Sequence, residues 1–214
     1  MAEGESERLL IATQNIGISV SAVQIEQLLA YVDLLEKWNR AYNLTAIRDR
    51  REMFDRHLVE SLSIAPFLFG NSRVDVGTGA GLPGVPLAII EPNVHYVLLD
   101  SNGKKTRFLS EVKRALGLSN VDVETTRVES WRPARQFDAV VTRAFADLWT
   151  TLERVDHLLG SQGMLFAMKT ESASNEVAEM PPYIEHFASW DVSVQGRDWP
   201  FQLLAVRRLR GEDV

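Results

Sequence analysis

The pattern of apolar residues predicts a doubly wound α/β fold, with a mostly parallel sheet, an antiparallel hairpin at its C-terminal edge and a helical extension in front. Three observations lead there. From Arg73 onward, short β-branched runs alternate with stretches of helical period, as in strand–helix–strand crossovers. A glycine-rich turn, "GTGAG", directly follows the first of those runs. Near the end, "FASWDVSVQ" and "FQLLAVRRLR" read as two strands joined by a turn too short for a crossover helix.

The elements follow in order. In "SVSAVQIEQLLAYVDLLEKWNRAYNLTAI", Ile25, Leu28, Leu29, Val32, Leu35 and Trp38 recur at steps of three and four, the stripe of an amphipathic helix. Ser21 with Gln24 three residues on forms a capping box. "RREMFDRHLVESLSIAPFLF" predicts a second striped helix that ends near Pro66. Then come "RVDVG" as strand, "GVPLAIIE" as helix, "VHYVLLD" as strand and "KKTRFLSEVKRALG" as a helix closed by Gly117. "VDVETTRVE" is a strand running into a loop. "FDAVVTRAF" is a strand, "ADLWTTLERVDHLLG" a helix and "GMLFAMKT" a strand. We expect residues 1–70 to be an extension packed on a core of residues 71–214, one compact unit overall.

Composition excludes several classes. At 45% apolar over 214 residues, a full core can form. There is no cysteine, which removes disulfides, thiolate metal sites and thiol nucleophiles and fits a reducing cytoplasm. We expect no metal. "MAEGESERLL" is acidic and polar, unlike a signal peptide. No apolar stretch approaches the ~18 residues of a membrane span. The formal net charge of -6 means that any nucleic acid must meet a local basic patch or a preassembled particle.

"VDVGTGAGLPGVPLAII" supports two ligands. From Gly79 it reads G-A-G-L-P-G, a literal dinucleotide fingerprint. From Asp75 it is an acidic residue two before three alternating glycines, Gly77, Gly79 and Gly81, the pattern of S-adenosylmethionine (SAM) binders. The dinucleotide match begins two residues late and brings in Pro83. Asp75 can orient the turn or receive the methionine ammonium, a group that NAD lacks. The register favours SAM, with an NAD(P)-dependent oxidoreductase or a noncatalytic SAM- and RNA-binding module as alternatives. Asp100, ending "VLLD", suits ribose hydroxyls or an N-cap for the next helix. "TRVES" puts Glu129 where an adenine edge is read. Arg143 ends the fourth strand at the pocket mouth.

"KWNRAYNLTAIRD", "RHLVESL", "VDVGTGAGLPGVPLAI", "LLDSNGKKTRFL", "RVES" and "FDAVVTRAFADL" occur in this order and spacing. Together they resemble the RsmG (GidB) family of 16S rRNA methyltransferases, from about Gly17 to about Lys169. The resemblance implies a SAM-dependent methyltransferase fold. It also implies methyl transfer to N7 of one guanine in the 530 loop of 16S rRNA (guanine 527 in the usual rRNA numbering), with the RNA carried in a small-subunit ribosomal particle. It places cofactor contacts at Gly77, Leu82, Val128, Glu129 and Arg143. Where the family often carries a basic or histidine-bearing stretch before the last strand, this chain reads "DWPFQLL".

Guanine N7 has a lone pair and no proton, so no general base is required and the task is alignment. Candidates for the RNA side are Asn39, Arg40 and Tyr42 in "WNRAYNLT", then Arg48, His57, Lys104, Lys105 and Lys169. Arg50, Arg51, Arg56 and Arg107 add charge nearby. His57 is read as structural or RNA-positioning, and His157 as a helix-face residue without function.

Overall fold

Helix α2 (Ala22–Tyr42) begins where its sequence signal lies. Ser21 Oγ accepts the Gln24 N–H at 3.2 Å, and Gln24 Oε1 accepts the Ser21 N–H at 2.8 Å. The two otherwise orphaned donors are satisfied reciprocally. The helix ends at Asn43 in the left-handed region, φ 50 and ψ 53. The computed structural model describes residues 2–143, 147–169, 174–194 and 200–209. It contains a helix that the apolar pattern did not announce, α1 (Ala2–Ile16), which buries Leu9 against α2 and stops at Gly17, φ +82.

The second striped helix exists, but it is not uniform. Helix α3 (Arg50–Glu52), a π-helical turn (Met53–Val59) and α4 (Glu60–Leu62) run on as one helical segment, followed by a 3-10 turn at Ala65–Phe67. In the π register the Glu60 N–H is shared between Asp55 O and His57 O, skipping Arg56 O. Such turns are uncommon and cluster at functional sites.

The sheet has seven strands in the order β3-β2-β1-β4-β5-β7-β6. Strands β1 (Ser72–Val76), β2 (His95–Asp100), β3 (Val121–Thr125), β4 (Phe137–Arg143) and β5 (Leu159–Lys169) are parallel. They are linked through α5 (Gly84–Ile90), α6 (Gly103–Leu116) and α7 (Leu148–Val155). The C-terminal pair is antiparallel, as expected. β7 (Phe201–Arg208) inserts beside β5, and β6 (Ile184–Val192), which follows the short helix α8 (Ser174–Ala178), forms the edge. The turn of that hairpin, with Asp198 and Trp199 of "DWPFQLL", lies outside the described residues, as do Ala144, Phe145 and Ala146 after β4. From β1 the chain winds outward to β3, then returns to β4 on the other side. Ligands of doubly wound sheets sit at that switch point, beyond the strands' carboxyl ends.

Alternate residues of each strand enter two apolar cores. Val74, Val97, Val140 and Leu165 pack with Leu152 of α7, while Leu98, Val141 and Phe166 join the other core. That second core also takes Leu28, Tyr31 and Leu35 of α2 with Leu58 of the π turn. The N-terminal helices therefore share a core with the sheet.

Candidate cofactor cleft and its surroundings

The site is built outward from the end of β1. The Gly77 and Thr78 N–H groups donate to Leu99 O at 2.9 and 3.1 Å, turning the chain over β2. Gly77, Gly79 and Gly81 all have positive φ (71, 61 and 93°), which non-glycine residues adopt only with strain. Space separates their roles. A Cβ on Gly79 would meet nothing nearer than Gly77 O at 3.8 Å, so that side of the turn lies open for a ligand. A Cβ on Gly81 would strike Val85 Cγ2 at 2.5 Å and Leu109 Cδ2 at 2.8 Å, so Gly81 serves packing against α5 and α6. Gly84, the last glycine of the apparent fingerprint, lets α5 approach Leu98 and Asp75.

Asp75 is buried. Its Oδ2 accepts the Thr78 hydroxyl at 2.7 Å and the Gly84 N–H at 2.8 Å, so it orients the turn and fixes the start of α5. Its Oδ1 has no hydrogen-bond partner among the described residues. Burial pushes its carboxyl up to about 6, against the pull of the Thr78 and Gly84 hydrogen bonds.

Asp100 closes the turn from β2. Its Oδ2 accepts the Gly79 N–H at 3.0 Å and lies 3.5 Å from Lys105 Nζ, while Oδ1 accepts the Asn102 N–H at 2.8 Å. The N-cap of α6 is Asn102, which accepts the Lys104 N–H; the alternative cap role read for Asp100 belongs to its neighbour. An open cleft of about 140 Å³ is lined by Gly77, Asp100, Ser101, Val128, Glu129 and Arg154. Four of the residues expected at a cofactor, distant in sequence, thus meet in one hollow at the carboxyl ends of β1 to β3. Exposed main chain, a carboxylate and the apolar Val128 suit a nucleoside. Leu82 is buried below the turn.

Arg143 lies on the other side of β1. Its Nη2 donates to Arg56 O at 3.1 Å and stands 3.4 Å from Glu60 Oε1, which is buried. The carbonyl that the π register skips is the one Arg143 takes. His57, next in that turn, is buried, and its Nε2 shares a 2.8 Å hydrogen bond with Thr45 Oγ1. Burial first, then the Arg143 and Arg56 charges, bring its pKa down to about 4. It is neutral near pH 7.

The residues read for the RNA side divide in two. Asn39 is buried, donating to Ile47 O and accepting the Thr45 N–H, so it closes the 43–47 loop from within. Arg50 is held by Glu5, Asp33 and Glu36 and ties α1, α2 and α3 together. Lys169 pairs with Glu176 at 3.0 Å, and Lys105 faces Asp100. Exposed are Arg40, although it pairs with Glu36 at 2.7 Å, and Tyr42, Arg48, Arg51, Arg56, Lys104 and Arg107. Tyr42 stacks on Trp38 with ring centroids 5.1 Å apart. His157 Nε2 meets Trp131 O at 3.0 Å, a structural contact. The described residues contain no group of three or more potential metal ligands and no helix long and apolar enough to cross a membrane.

The sequence reading missed Tyr31. It is fully buried, and its hydroxyl donates to Ala80 O in the glycine turn at 2.8 Å. The signal was present: a tyrosine three residues after Leu28 falls on the buried face, where its hydroxyl needs a partner.

Fold and turn define a Rossmann-like, doubly wound α/β protein with an antiparallel final strand pair. Among solved structures, the chain resembles a SAM-dependent O-methyltransferase from Thermotoga maritima (TM-score 0.54, 15% identity, 71% of this chain and 65% of that one). It likewise resembles a ribosomal protein L11 methylase from Lactobacillus delbrueckii subsp. bulgaricus (TM-score 0.53, 15% identity, 71% and 80%). The chain belongs to the GidB family, described as rRNA small subunit methyltransferase G, whose model matches residues 24–195. It is 51% identical over 176 residues to the ribosomal RNA small subunit methyltransferase G of Saccharophagus degradans, covering 82% of this chain and 79% of the relative. To that of Hydrogenovibrio crunogenus it is 44% identical over 201 residues, covering 94% and 93%. The oxidoreductase reading of the glycines is not favoured by this membership.

Proposed function

We propose that this chain transfers the methyl group of SAM to N7 of a guanine in small-subunit rRNA, guanine 527 of the 530 loop, on a ribosomal particle in the cytoplasm. The observation that carries the reading is the convergence of Gly77, Asp100, Val128 and Glu129 on one cleft beside the open face of Gly79. When bound, SAM supplies a methyl group made electrophilic by its sulfonium.

The chain's own residues do the rest by position. Gly77 and Gly79 offer main chain without side chains in the way. Asp100 takes the ribose hydroxyls while bracing the turn. Val128 and Glu129 hold the adenine. Asp75 keeps Oδ1 for the ammonium, and Arg143 stands at the far end near the reacting centre. The acceptor N7 attacks with its own lone pair, so no side chain removes a proton. His57, neutral and bonded to Thr45, supports the 43–47 loop. Exposed Arg40, Arg48 and Lys104 supply local positive charge that the net charge of -6 hides, and Tyr42 offers a ring face to an unstacked base.

Labelled-methyl transfer to small subunits lacking the modification, followed by mapping of the labelled base, tests this. Label at N7 of that guanine is expected. Label on another base, or tight NADH binding with no SAM binding, would overturn it.

A further inference from the structure

Helix α2 grips the methyltransferase core through three polar side chains on one face. Gln24 Nε2 donates to Ile89 O and Ile90 O at the end of α5, at 3.0 and 3.1 Å. Gln27 Nε2 donates to Leu116 O at the end of α6, at 2.8 Å. Tyr31 Oη donates to Ala80 O, between the positive-φ residues Gly79 and Gly81. Steps of three and four put all three groups on one helical face. The first two satisfy carbonyls at helix ends, which lack intrahelical donors. The third goes to the middle of the glycine turn, beyond the Gly77 and Thr78 bonds to β2.

We infer that Tyr31 is a positioning residue for the cofactor, holding the glycine turn in its binding shape from the N-terminal helical extension. The inference rests on the proposed SAM site. The geometry supports it in three ways. The ring is immobilised: it is fully buried and packs at 6.5 Å from Phe108 of α6. The hydroxyl remains a donor at every ordinary pH, because burial and the Asp75 charge raise its pKa. The bonded peptide adjoins Gly79, whose N–H is fixed on its other side by Asp100. The turn is thus clamped between α2 and the end of β2. Without the Tyr31 hydroxyl, Ala80 O is left buried and short of a donor, and the turn gains freedom that binding must remove.

Tyr31→Phe keeps the ring and removes only the donor. The comparison is Gln27→Met, which removes a similar bond at Leu116, away from the turn. In the full-length protein, SAM affinity is measured by titration calorimetry, methyl transfer to small subunits is resolved into KM for SAM and kcat, and thermal unfolding is followed without ligand. Tyr31→Phe should raise the SAM Kd and KM about tenfold with kcat at saturation within about twofold. Gln27→Met should lower the unfolding temperature comparably and leave SAM affinity unchanged. Equal effects of both variants on affinity, or wild-type affinity in Tyr31→Phe, would overturn the inference. Failure of the wild-type protein to bind SAM would instead sink the proposed function.

Discussion

Arg143, at the end of the fourth parallel strand, donates to the main-chain carbonyl of Arg56 across 87 residues of sequence, at 3.1 Å. The π turn leaves that carbonyl available: the Glu60 N–H goes to Asp55 O and His57 O instead. The same guanidinium stands against the buried Glu60 carboxylate. The carboxyl end of β4 is thereby fastened to the helical segment that supports the 43–47 loop.

Arg143→Met should destabilise the protein by about 3 kcal/mol, because it strips a charged partner from a buried carboxylate. Adding Glu60→Gln should recover part of the loss, since the buried charge goes with it. Urea unfolding of the single and double variants measures the coupling. Purely additive losses would mean that the pair contributes nothing.

Gly79→Val and Gly81→Ala should separate binding from stability. The first places a side chain on the open face of the turn and should abolish SAM binding, with a strain cost of roughly 1–2 kcal/mol. The second drives a Cβ into Val85 and Leu109 and should lower stability more than the first does. Calorimetric titration and thermal melts on both proteins check the split. Wild-type SAM affinity in Gly79→Val would refute the placement.

His57 carries a pH signature. Its pKa is depressed from 6.5 to about 4 by burial, so the unfolded chain takes up a proton that the native protein refuses. The stability of the neutral form is full above pH 6.5 and is lost as pH falls toward 4. The advantage of the wild type over His57→Gln should shrink by about 3 kcal/mol from pH 7.5 to pH 4. Asp75, raised to about 6, works in the opposite direction: its native state binds the proton more tightly, and its contribution declines as pH rises from about 4 to 6. That term is common to both proteins and cancels in the difference. Unfolding curves across this range decide it; a constant gap would show that His57 is not held neutral.

The chemical step should lack the rise with pH that a near-neutral general base produces. N7 has no proton to lose, and His57 is already deprotonated at pH 6 and above. Single-turnover rates on saturated complexes, from mildly acidic to mildly basic pH, test this. A tenfold rise per unit that disappears in His57→Asn would move the acceptor from N7 to an atom that must lose a proton.

Lys104 and Lys105 should behave differently despite being neighbours. Lys104 is exposed, and Lys104→Ala should flatten the salt dependence of RNA binding by roughly one phosphate contact. Lys105 faces Asp100 at 3.5 Å, and Lys105→Ala should act mainly on SAM affinity. Binding of subunits over a salt series, beside titration with SAM, tells them apart.

Much of the fold was legible because it depends on local pattern. The alternation of strand and helix, the Ser21–Gln24 box, the strand-end glycines and the antiparallel final pair all follow from periods of 2 and 3.6 and from which residues tolerate positive φ. The order of motifs also revealed the family. Helix α1 was hidden by its acidic, weakly patterned start, and the π turn by its likeness to an ordinary striped helix.

The sequence by itself determined the alternating architecture, the glycine turn and the acidic residues at the ends of the first two strands. Only the tertiary structure decided how each is used. Gly79 faces open space while Gly81 faces Val85; Asn39 turns inward while Tyr42 stays exposed; Tyr31 meets Ala80 and Arg143 meets Arg56. The physical reason is range. Propensity and periodicity act over a few residues, whereas these contacts join segments 49 and 87 residues apart, brought together only when burial of the shared core sets the path of the chain.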